Sequence, residues 1–351
     1  QPLLKGFGKK INRTNIFLAR LTSETTLHEI ENMAINLIYN VESAYWNLVY
    51  ARETLKVREN SLAQADSLLV YNRKGLELGI LTESDVLEAE SALLTRKQEM
   101  LDQRNQIKGY EDNLRWFLNL TSRDEWEQRL VPTDSPDIST IEFDIDSALA
   151  QALNLRPDYK IARKTLEQNE LNLAVAKNNK YPSLNLAAQY RLNGSGTTYS
   201  KDIRDMSELD QYGWRVGLTL SYPLKNRSAE ADYEKKQIDV RRTLLTIEDI
   251  EHQIKTEIRT AIRNIRFLRE RIDDAALSVE VNELKLRKEE ERFRNQLSTS
   301  YYVLEFQGDL TNARNIYNKA LIDYTVAIIE LQRVSGTLLK ELNIMIIPRE
   351  N

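Results

Sequence analysis

Cysteine is absent from the 351-residue sequence. Disulfides, thiolate metal sites and cysteine nucleophiles are excluded, and the redox compartment is left open. Glycine and proline are scarce, at 11 and 7 residues. Together they make less than half their usual share of about 12%, which argues against collagen-like, linker-like and loop-rich all-β chains. Only His28 and His252 are available for imidazole chemistry. Lysine and arginine number 49 against 53 aspartate and glutamate, with the signs interspersed. That pattern gives no basic footprint for nucleic acid. No apolar run approaches the roughly 18 residues of a membrane helix. The sequence begins Gln1-Pro2-Leu3-Leu4 without Met or signal peptide, which reads as a fragment or a processed product.

Proline breaks helices, because it lacks the backbone N–H and clashes with the preceding turn. The prolines fall at 2, 132, 136, 157, 182, 223 and 348. Two long stretches, 9 to 131 and 224 to 347, are free of it and rich in strong helix formers. In the first, Ile30, Ala34, Leu37, Val41, Ala44, Leu48, Ala51 and Leu55 recur at steps of three and four. That is a heptad seam. The second holds two more, from Ile247 to Val279 and from Val303 to Val334, and a sparser one runs through Val86, Leu93, Met100, Ile107 and Leu114.

Breaks are expected at Gly75 and Gly79, before Ile80-Leu81-Thr82, and at Asn295-Gln296, before Leu297-Ser298-Thr299, where hydroxyls can cap the next helix. Each stretch thus reads as a long helix, a tight turn and a returning helix. The long arms, from about 12 to 78 and 224 to 295, would measure roughly 100 Å at 1.5 Å per residue, so an elongated molecule is expected. The halves also repeat one another. Val86-Leu87-Glu88 matches Val303-Leu304-Glu305 at an offset of 217, whereas Pro2-Leu3 matches Pro223-Leu224 at 221. The four-residue difference is about one helical turn, which a helix can absorb.

The segmentation follows: 1–119 is a first repeat opening on the end of a strand, 120–143 a polar connector, and 144–181 a helical segment interrupted at Pro157. Residues 182–222 form a β-hairpin, 223–335 the second repeat and 336–351 a terminal segment. In the hairpin the period becomes two. Leu184, Leu186, Ala188, Tyr190 and Leu192 alternate with polar or small residues, as do Tyr212, Trp214, Val216, Leu218, Leu220 and Tyr222, across a polar loop from 193 to 211. Ten-residue strands with one apolar face and aromatic ends suit a transmembrane β-barrel. The same alternation suits a half-buried hairpin on a soluble sheet.

These features together resemble the TolC-like outer-membrane efflux protein family. The resemblance is carried by Gln1-Pro2-Leu3-Leu4-Lys5-Gly6-Phe7-Gly8, Ala44-Tyr45-Trp46, Gly79 with Thr82 and Asp85-Val86-Leu87-Glu88-Ala89, Leu155-Arg156-Pro157-Asp158, Tyr181-Pro182-Ser183-Leu184 and Ser221-Tyr222-Pro223-Leu224. It implies a mainly α fold with a small β membrane part, in which duplicated helical hairpins build an α-barrel and strands from three protomers close a twelve-stranded barrel. Four strands per protomer are expected in the family. The sequence supplies two and the end of a third, so a further strand and its leading helix are expected upstream.

The resemblance implies a passive exit duct of a tripartite efflux or type I secretion system. It would sit in the outer membrane of a Gram-negative bacterium with a periplasmic extension, as a homotrimer working with a periplasmic adaptor and an inner-membrane transporter, and would use no cofactor, metal or nucleic acid. A soluble or periplasmic coiled-coil scaffold or adaptor is the alternative; it accounts for the heptads but not for the alternating strands.

No enzyme signature is assembled. Gly6-Phe7-Gly8 runs into Lys9-Lys10 without a nucleotide-binding unit, and neither histidine has a second imidazole at helical spacing. Asp273-Asp274 and Glu289-Glu290-Glu291 read as solvated helix faces. In the family the turns form a gated mouth. Carried over, one side of the closing tether falls on Ser84 and Asp85, while its tyrosine and arginine partners fall on Phe293 and Ser298, which lack the hydroxyl and the cation. Of two acidic ring positions, Glu305 stays acidic and the other is Tyr302. A threefold ring of Glu305 would favour cations and raise carboxylate pKa values by repulsion. The mouth is then expected to be held by packing of Phe293, Leu297 and Tyr302, the rival being a substitute cation for Asp85 from Arg292 or Arg294. Adaptor contacts are expected at Gly79, Ile80, Leu81 and Thr82 and at Gln296, Leu297 and Thr299. Lipid should face Leu184, Leu186, Trp214, Val216, Leu218 and Leu220, and the lumen Arg191, Arg215 and Thr219.

Overall fold

A computed structural model describes residues 1–136, 138, 144–192, 203 and 212–346. The elements in chain order are α1 (Lys9–Asn12), α2 (Thr14–Glu77), α3 (Glu83–Phe117), α4 (Arg123–Glu127), α5 (Ile145–Leu155), α6 (Pro157–Asn179), β1 (Ser183–Leu192), β2 (Tyr212–Ser221), α7 (Arg227–Arg294), α8 (Ser300–Ser335) and α9 (Leu338–Glu341). Among the described residues no helix is long and apolar enough to cross a membrane. The loop expected over 193–211 lies outside the described residues apart from 203, as do parts of the connector and of the terminal segment.

The repeat is visible in the helix bounds. α2 and α7 end at Glu77 and Arg294, and α3 and α8 begin at Glu83 and Ser300, each pair 217 residues apart. The four extra residues of the first repeat are not absorbed as one helical turn. Six residues, Leu3–Gly8, separate Pro2 from the first helical residue, against three, Leu224–Asn226, after Pro223. Most of the insertion is in the loop between strand and helix, where no hydrogen-bonded ladder has to be kept in register.

The chain forms two units. The first comprises Gln1–Ile30 and Pro157–His252. Its hairpin pairs β1 with β2 antiparallel, with Leu184 opposite Leu220, Leu186 opposite Leu218, Ala188 opposite Val216 and Tyr190 opposite Trp214. Each apolar side chain therefore faces another, and Asn185–Thr219 and Gln189–Arg215 fall on the other face. Pairing and alternation agree, so a one-residue slip would invert every side chain. The chain start lies along the free edge of β1, where the Leu3 N–H donates to the Leu184 carbonyl at 2.7 Å and the Leu186 N–H to the Gln1 carbonyl at 2.9 Å. Polar ties join the helices of this unit: the Tyr159 hydroxyl donates to Glu251 at 2.7 Å, Asn169 to Thr243 at 2.9 Å, and Lys164 pairs with Glu24 at 2.7 Å.

The second unit comprises Glu31–Arg156 and Gln253–Asn351. In it α2 buries two stripes. Ala44, Leu48 and Ala51 pack with Ile107 and Leu114 of α3, while Ile35, Trp46 and Val49 pack with Ile322 and Ile329 of α8. Two seam positions expected to be buried are not: Ile30 is 44% and Leu37 50% exposed. The cluster that α2 shares with α3 includes Val41 and Phe117 at its edge, and neither Ile30 nor Leu37 belongs to it.

The connector is fastened by charge. Arg115, whose side chain is 6% exposed, bonds the Gln128 carbonyl at 2.5 Å and Glu111 at 3.4 Å, and Arg52 bonds Glu111 and the Leu130 carbonyl. α5 gives way to α6 at Arg156-Pro157, where proline occupies a first helical position that needs no N–H. Arg156 bonds Glu257 and the Val334 carbonyl. α8 ends at Gly336 in the left-handed conformation, φ 73°, where a Cβ would stand 3.1 Å from the Arg156 nitrogen. A larger residue there would be strained by the conformation and tight against the Arg156 backbone.

Candidate functional site

The residues carried over from the resemblance gather at the two turns of the second unit. The backbone of the turns is duplicated. In the first, the Gly79 N–H donates to Leu76 at 2.9 Å and the Ile80 N–H to Gly75 at 2.8 Å; in the second, Gln296 donates to Phe293 at 3.0 Å and Leu297 to Arg292 at 2.9 Å. Gly79 has φ 72° and Gln296 φ 60°, so the same left-handed residue closes both.

The side chains differ. Thr82 caps α3 in a reciprocal box: the Asp85 N–H donates to its hydroxyl at 3.3 Å, and the Thr82 N–H and hydroxyl donate to Asp85 Oδ2 at 2.9 and 2.6 Å. The other oxygen, Oδ1, accepts from the Ser300 hydroxyl at 3.2 Å. Asp85 thus finds a link from α3 to the start of α8 without the tyrosine, the arginine, Arg292 or Arg294. The Thr82 hydroxyl bond, then the Thr82 N–H and Ser300, hold its carboxyl below the ordinary range against the opposing effect of burial. Ser84 beside it is exposed.

Thr299 occupies the equivalent cap position of α8 but makes no side-chain capping bond. The second turn is fastened instead through Glu289, which accepts from the Ser298 hydroxyl and from Arg292 at 3.0 Å. Glu289 was expected on a solvated face, yet it is 5% exposed. Ser298 and Arg292 supply the donors that its buried carboxylate needs. Its repeat counterpart is Asn72, fully buried, whose amide donates to the Asp85 carbonyl at 2.9 Å.

Of the three side chains expected to pack the mouth, Phe293 is 6% exposed, with its ring 5.4 Å from that of Tyr71, while Leu297 and Tyr302 are 69% and 48% exposed. Gly79, Ile80, Thr82, Gln296, Leu297 and Thr299 are exposed, and Leu81 is half-buried. Glu305 is exposed and lines a groove between α3 and α8 together with Glu88 and Glu99.

That groove also holds a residue the sequence reading missed. Arg96 donates to the Ser61 carbonyl at 3.0 Å, to Gln307 Oε1 at 2.7 Å and to the Leu304 carbonyl at 3.3 Å. It ties α2, α3 and α8 through neutral acceptors. Burial pushes its guanidinium below the ordinary arginine range, partly opposed by Glu99. Its signal was available: Arg96 lies midway between Ala89 and Gln103, both buried, on one seven-residue stripe.

In the hairpin, Trp214, Val216, Leu218 and Leu220 are exposed on one face and Leu184 and Leu186 are half-buried, while Arg191, Arg215 and Thr219 are exposed on the opposite face. His28 is half-buried and His252 exposed. Among the described residues no group of three or more His, Asp or Glu is placed to hold a metal ion.

Comparison with known proteins assigns this arrangement to a class. The family model described as outer membrane efflux protein matches residues 8–120 and 148–337. The chain belongs to that family, which locates it in the outer membrane of a Gram-negative bacterium. Among individual proteins, it is 22% identical over 232 residues to the toxin and drug export protein A of Aggregatibacter actinomycetemcomitans, covering 64% of this chain and 49% of that protein. It is 26% identical over 228 residues to the fusaric acid resistance protein FusA of Burkholderia cepacia, covering 62% and 39%. The chain thus spans about half the length, or less, of the curated relatives it matches. The crystal structure of the CmeC outer membrane channel of Campylobacter jejuni superposes with a TM-score of 0.76 over 96% of this chain and 70% of that one, at 17% identity. At that identity the likeness concerns the fold.

Proposed function

We propose that the protein is a passive exit duct, a homotrimeric channel whose strands complete a twelve-stranded barrel and whose helices continue as a tunnel ending in a gate. The observation that carries this reading is the hairpin: apolar residues pair with apolar residues across β1 and β2, and one edge already accepts the chain start. An isolated hairpin cannot stand in lipid, because its edge N–H and C=O groups find no partner there. Closure with further strands satisfies them. The duct performs no chemistry and needs no cofactor. Export through it draws on an inner-membrane transporter, and a periplasmic adaptor meets the exposed turns around Gly79–Thr82 and Gln296–Thr299. Leu184, Leu186, Trp214, Val216, Leu218 and Leu220 face lipid; Arg191, Arg215 and Thr219 face the lumen.

The gate in this reading is the pair of turns. Asp85 with Ser300, and Arg96 with Gln307, hold α3 to α8, Ser298 with Glu289 fastens the second turn to α7, and Glu305 gives the mouth its negative charge. The test uses the full-length protein reconstituted in planar bilayers. Cation-selective conductance is expected, and Glu305→Gln should lower the selectivity. A protein that stays monodisperse without detergent and forms no conducting pore defeats the reading.

A further inference from the structure

Charge near the strands is distributed to one side. Residues 1–23 carry Lys5, Lys9, Lys10, Arg13 and Arg20 and not one carboxylate. The described stretches 171–192 and 212–229 also lack Asp and Glu, and their helix-side ends carry Lys177, Lys180, Lys225 and Arg227. The segment 193–211, which joins the other ends of β1 and β2, has four acids against two bases.

Resting on the reading of β1 and β2 as membrane strands, we propose that the strand-to-helix junction is a cationic collar that binds the phosphates of anionic phospholipid in the leaflet facing the helices. The Lys5 N–H donates to the Pro182 carbonyl at 3.2 Å, which sets Lys5 beside the start of β1, and α1 begins four residues later. Lys9, Lys10, Arg13 and Arg20 line an open groove of about 730 Å³ with Phe17 and Leu21 as its apolar wall. Two of the acids at this groove, Glu24 and Glu167, are already taken by Lys164, at 2.7 and 3.6 Å. Glu170 is the remaining acid, so positive charge is left in excess.

The apolar neighbours identify the occupant as a lipid and not a soluble anion. Phe7 is 54% exposed, Ile16 67% and Leu224 95%, interleaved with the cations, and Tyr181 and Tyr222 are half exposed at the strand ends. Cations next to exposed apolar and tyrosine side chains form the pattern of a headgroup boundary, where a phosphate and the first acyl carbons are met together. A free phosphate has no use for Phe7 or Leu224.

The test is lipid titration of the delipidated, detergent-solubilised full-length protein, read by native mass spectrometry. Dioleoylphosphatidylglycerol is expected to bind at least about a hundredfold more tightly than dioleoylphosphatidylcholine in low salt, the gap closing as salt rises. Each cation near an acidic lipid surface is worth about fivefold. Lys9→Gln/Lys10→Gln/Arg13→Gln should therefore weaken phosphatidylglycerol binding on the order of a hundredfold and leave phosphatidylcholine unchanged. Should that triple variant fail to assemble, Lys9→Gln and Arg13→Gln singly should each read about fivefold. Equal affinities for the two lipids, a retained preference in these variants, or displacement of phosphatidylglycerol by inorganic phosphate overturns the collar. A protein that binds neither lipid and needs no detergent overturns the membrane reading instead.

Discussion

The two turns share a backbone and differ in almost everything attached to it. At an offset of 217, Gly75 faces Arg292, Gly79 faces Gln296, Leu81 faces Ser298, Asp85 faces Tyr302 and Asn72 faces Glu289. The first turn closes mostly on its own residues: a glycine takes the left-handed position, a second glycine lets Leu81 fold back, and Thr82 with Asp85 closes the cap, with Ser300 the one donor to Asp85 from α8. A Cβ on Gly75 would stand 2.6 Å from Leu81 Cδ1. The second turn carries a strained Gln296 and a cap without a side-chain bond, and compensates with a buried carboxylate held by Ser298 and Arg292. Duplicated backbone therefore does not mean duplicated stability. The first turn is held by its glycines and its cap, with one bond across to Ser300 of α8; the second is held by a buried carboxylate bonded within its own segment, 289–298.

The largest expected effect comes from Arg96, which ties α3 to α2 and α8 behind the turns. Gln307→Leu removes an acceptor from the buried Arg96 guanidinium, and losing a hydrogen bond to a charged group costs about 1.5 to 3 kcal/mol. Both turns should loosen together in amide hydrogen exchange, since Arg96 bonds α2 and α8 alike. Exchange that rises at one turn and not at the other would mean Arg96 does not couple them.

Swapping the left-handed residues sharpens the contrast. Gly79→Gln should destabilise the first turn by about 1 to 2 kcal/mol, because a Cβ is disfavoured at φ 72°. Gln296→Gly should stabilise the second by up to about 1 kcal/mol, less the entropy glycine adds to the unfolded chain. Denaturant unfolding of both variants, with the sign of each shift, is the measurement.

The caps give a smaller difference. Thr82→Ala should cost about 1 kcal/mol, the usual worth of a side-chain N-cap. Thr299→Ala should change stability by no more than a few tenths of that, since its hydroxyl caps nothing. Equal effects in thermal unfolding would show that Thr299 forms its capping bond after all.

How much of this was legible in the sequence depends on which physical term decides each feature. Helix and strand were written in periodicity, so the seam residues Ile254, Ile258 and Ala261, the break at Pro157 and the alternation of β1 and β2 could be read from spacing alone, while the register of the two strands could not. The repeat gave the turns their positions. It did not reveal that Ser300 would answer Asp85 or that Glu289 would turn inward, because a hydroxyl in reach at 3.2 Å is a three-dimensional fact with no period. Ile30 and Leu37 misled for the converse reason: their spacing is right, but spacing does not say whether a partner covers them, and both are exposed.

The smallest effect is a pH dependence of the first turn. Asp85 titrates below its ordinary value, chiefly through the Thr82 hydroxyl, so its carboxylate is favoured in the folded protein. A group with a depressed folded pKa contributes stability that is fully present above the unfolded value, about 3.9 for aspartate, and is lost as pH falls through the lower folded value. Acidification below about pH 4 should therefore raise hydrogen exchange at Thr82–Val86. In Asp85→Asn that slope should vanish while exchange at neutral pH is already raised. Ser300→Ala should keep most of the slope, because Thr82 and not Ser300 is the leading cause. If Ser300→Ala abolishes it, the link between α3 and α8 carries the titration, and the first turn depends on α8 more than on its own cap.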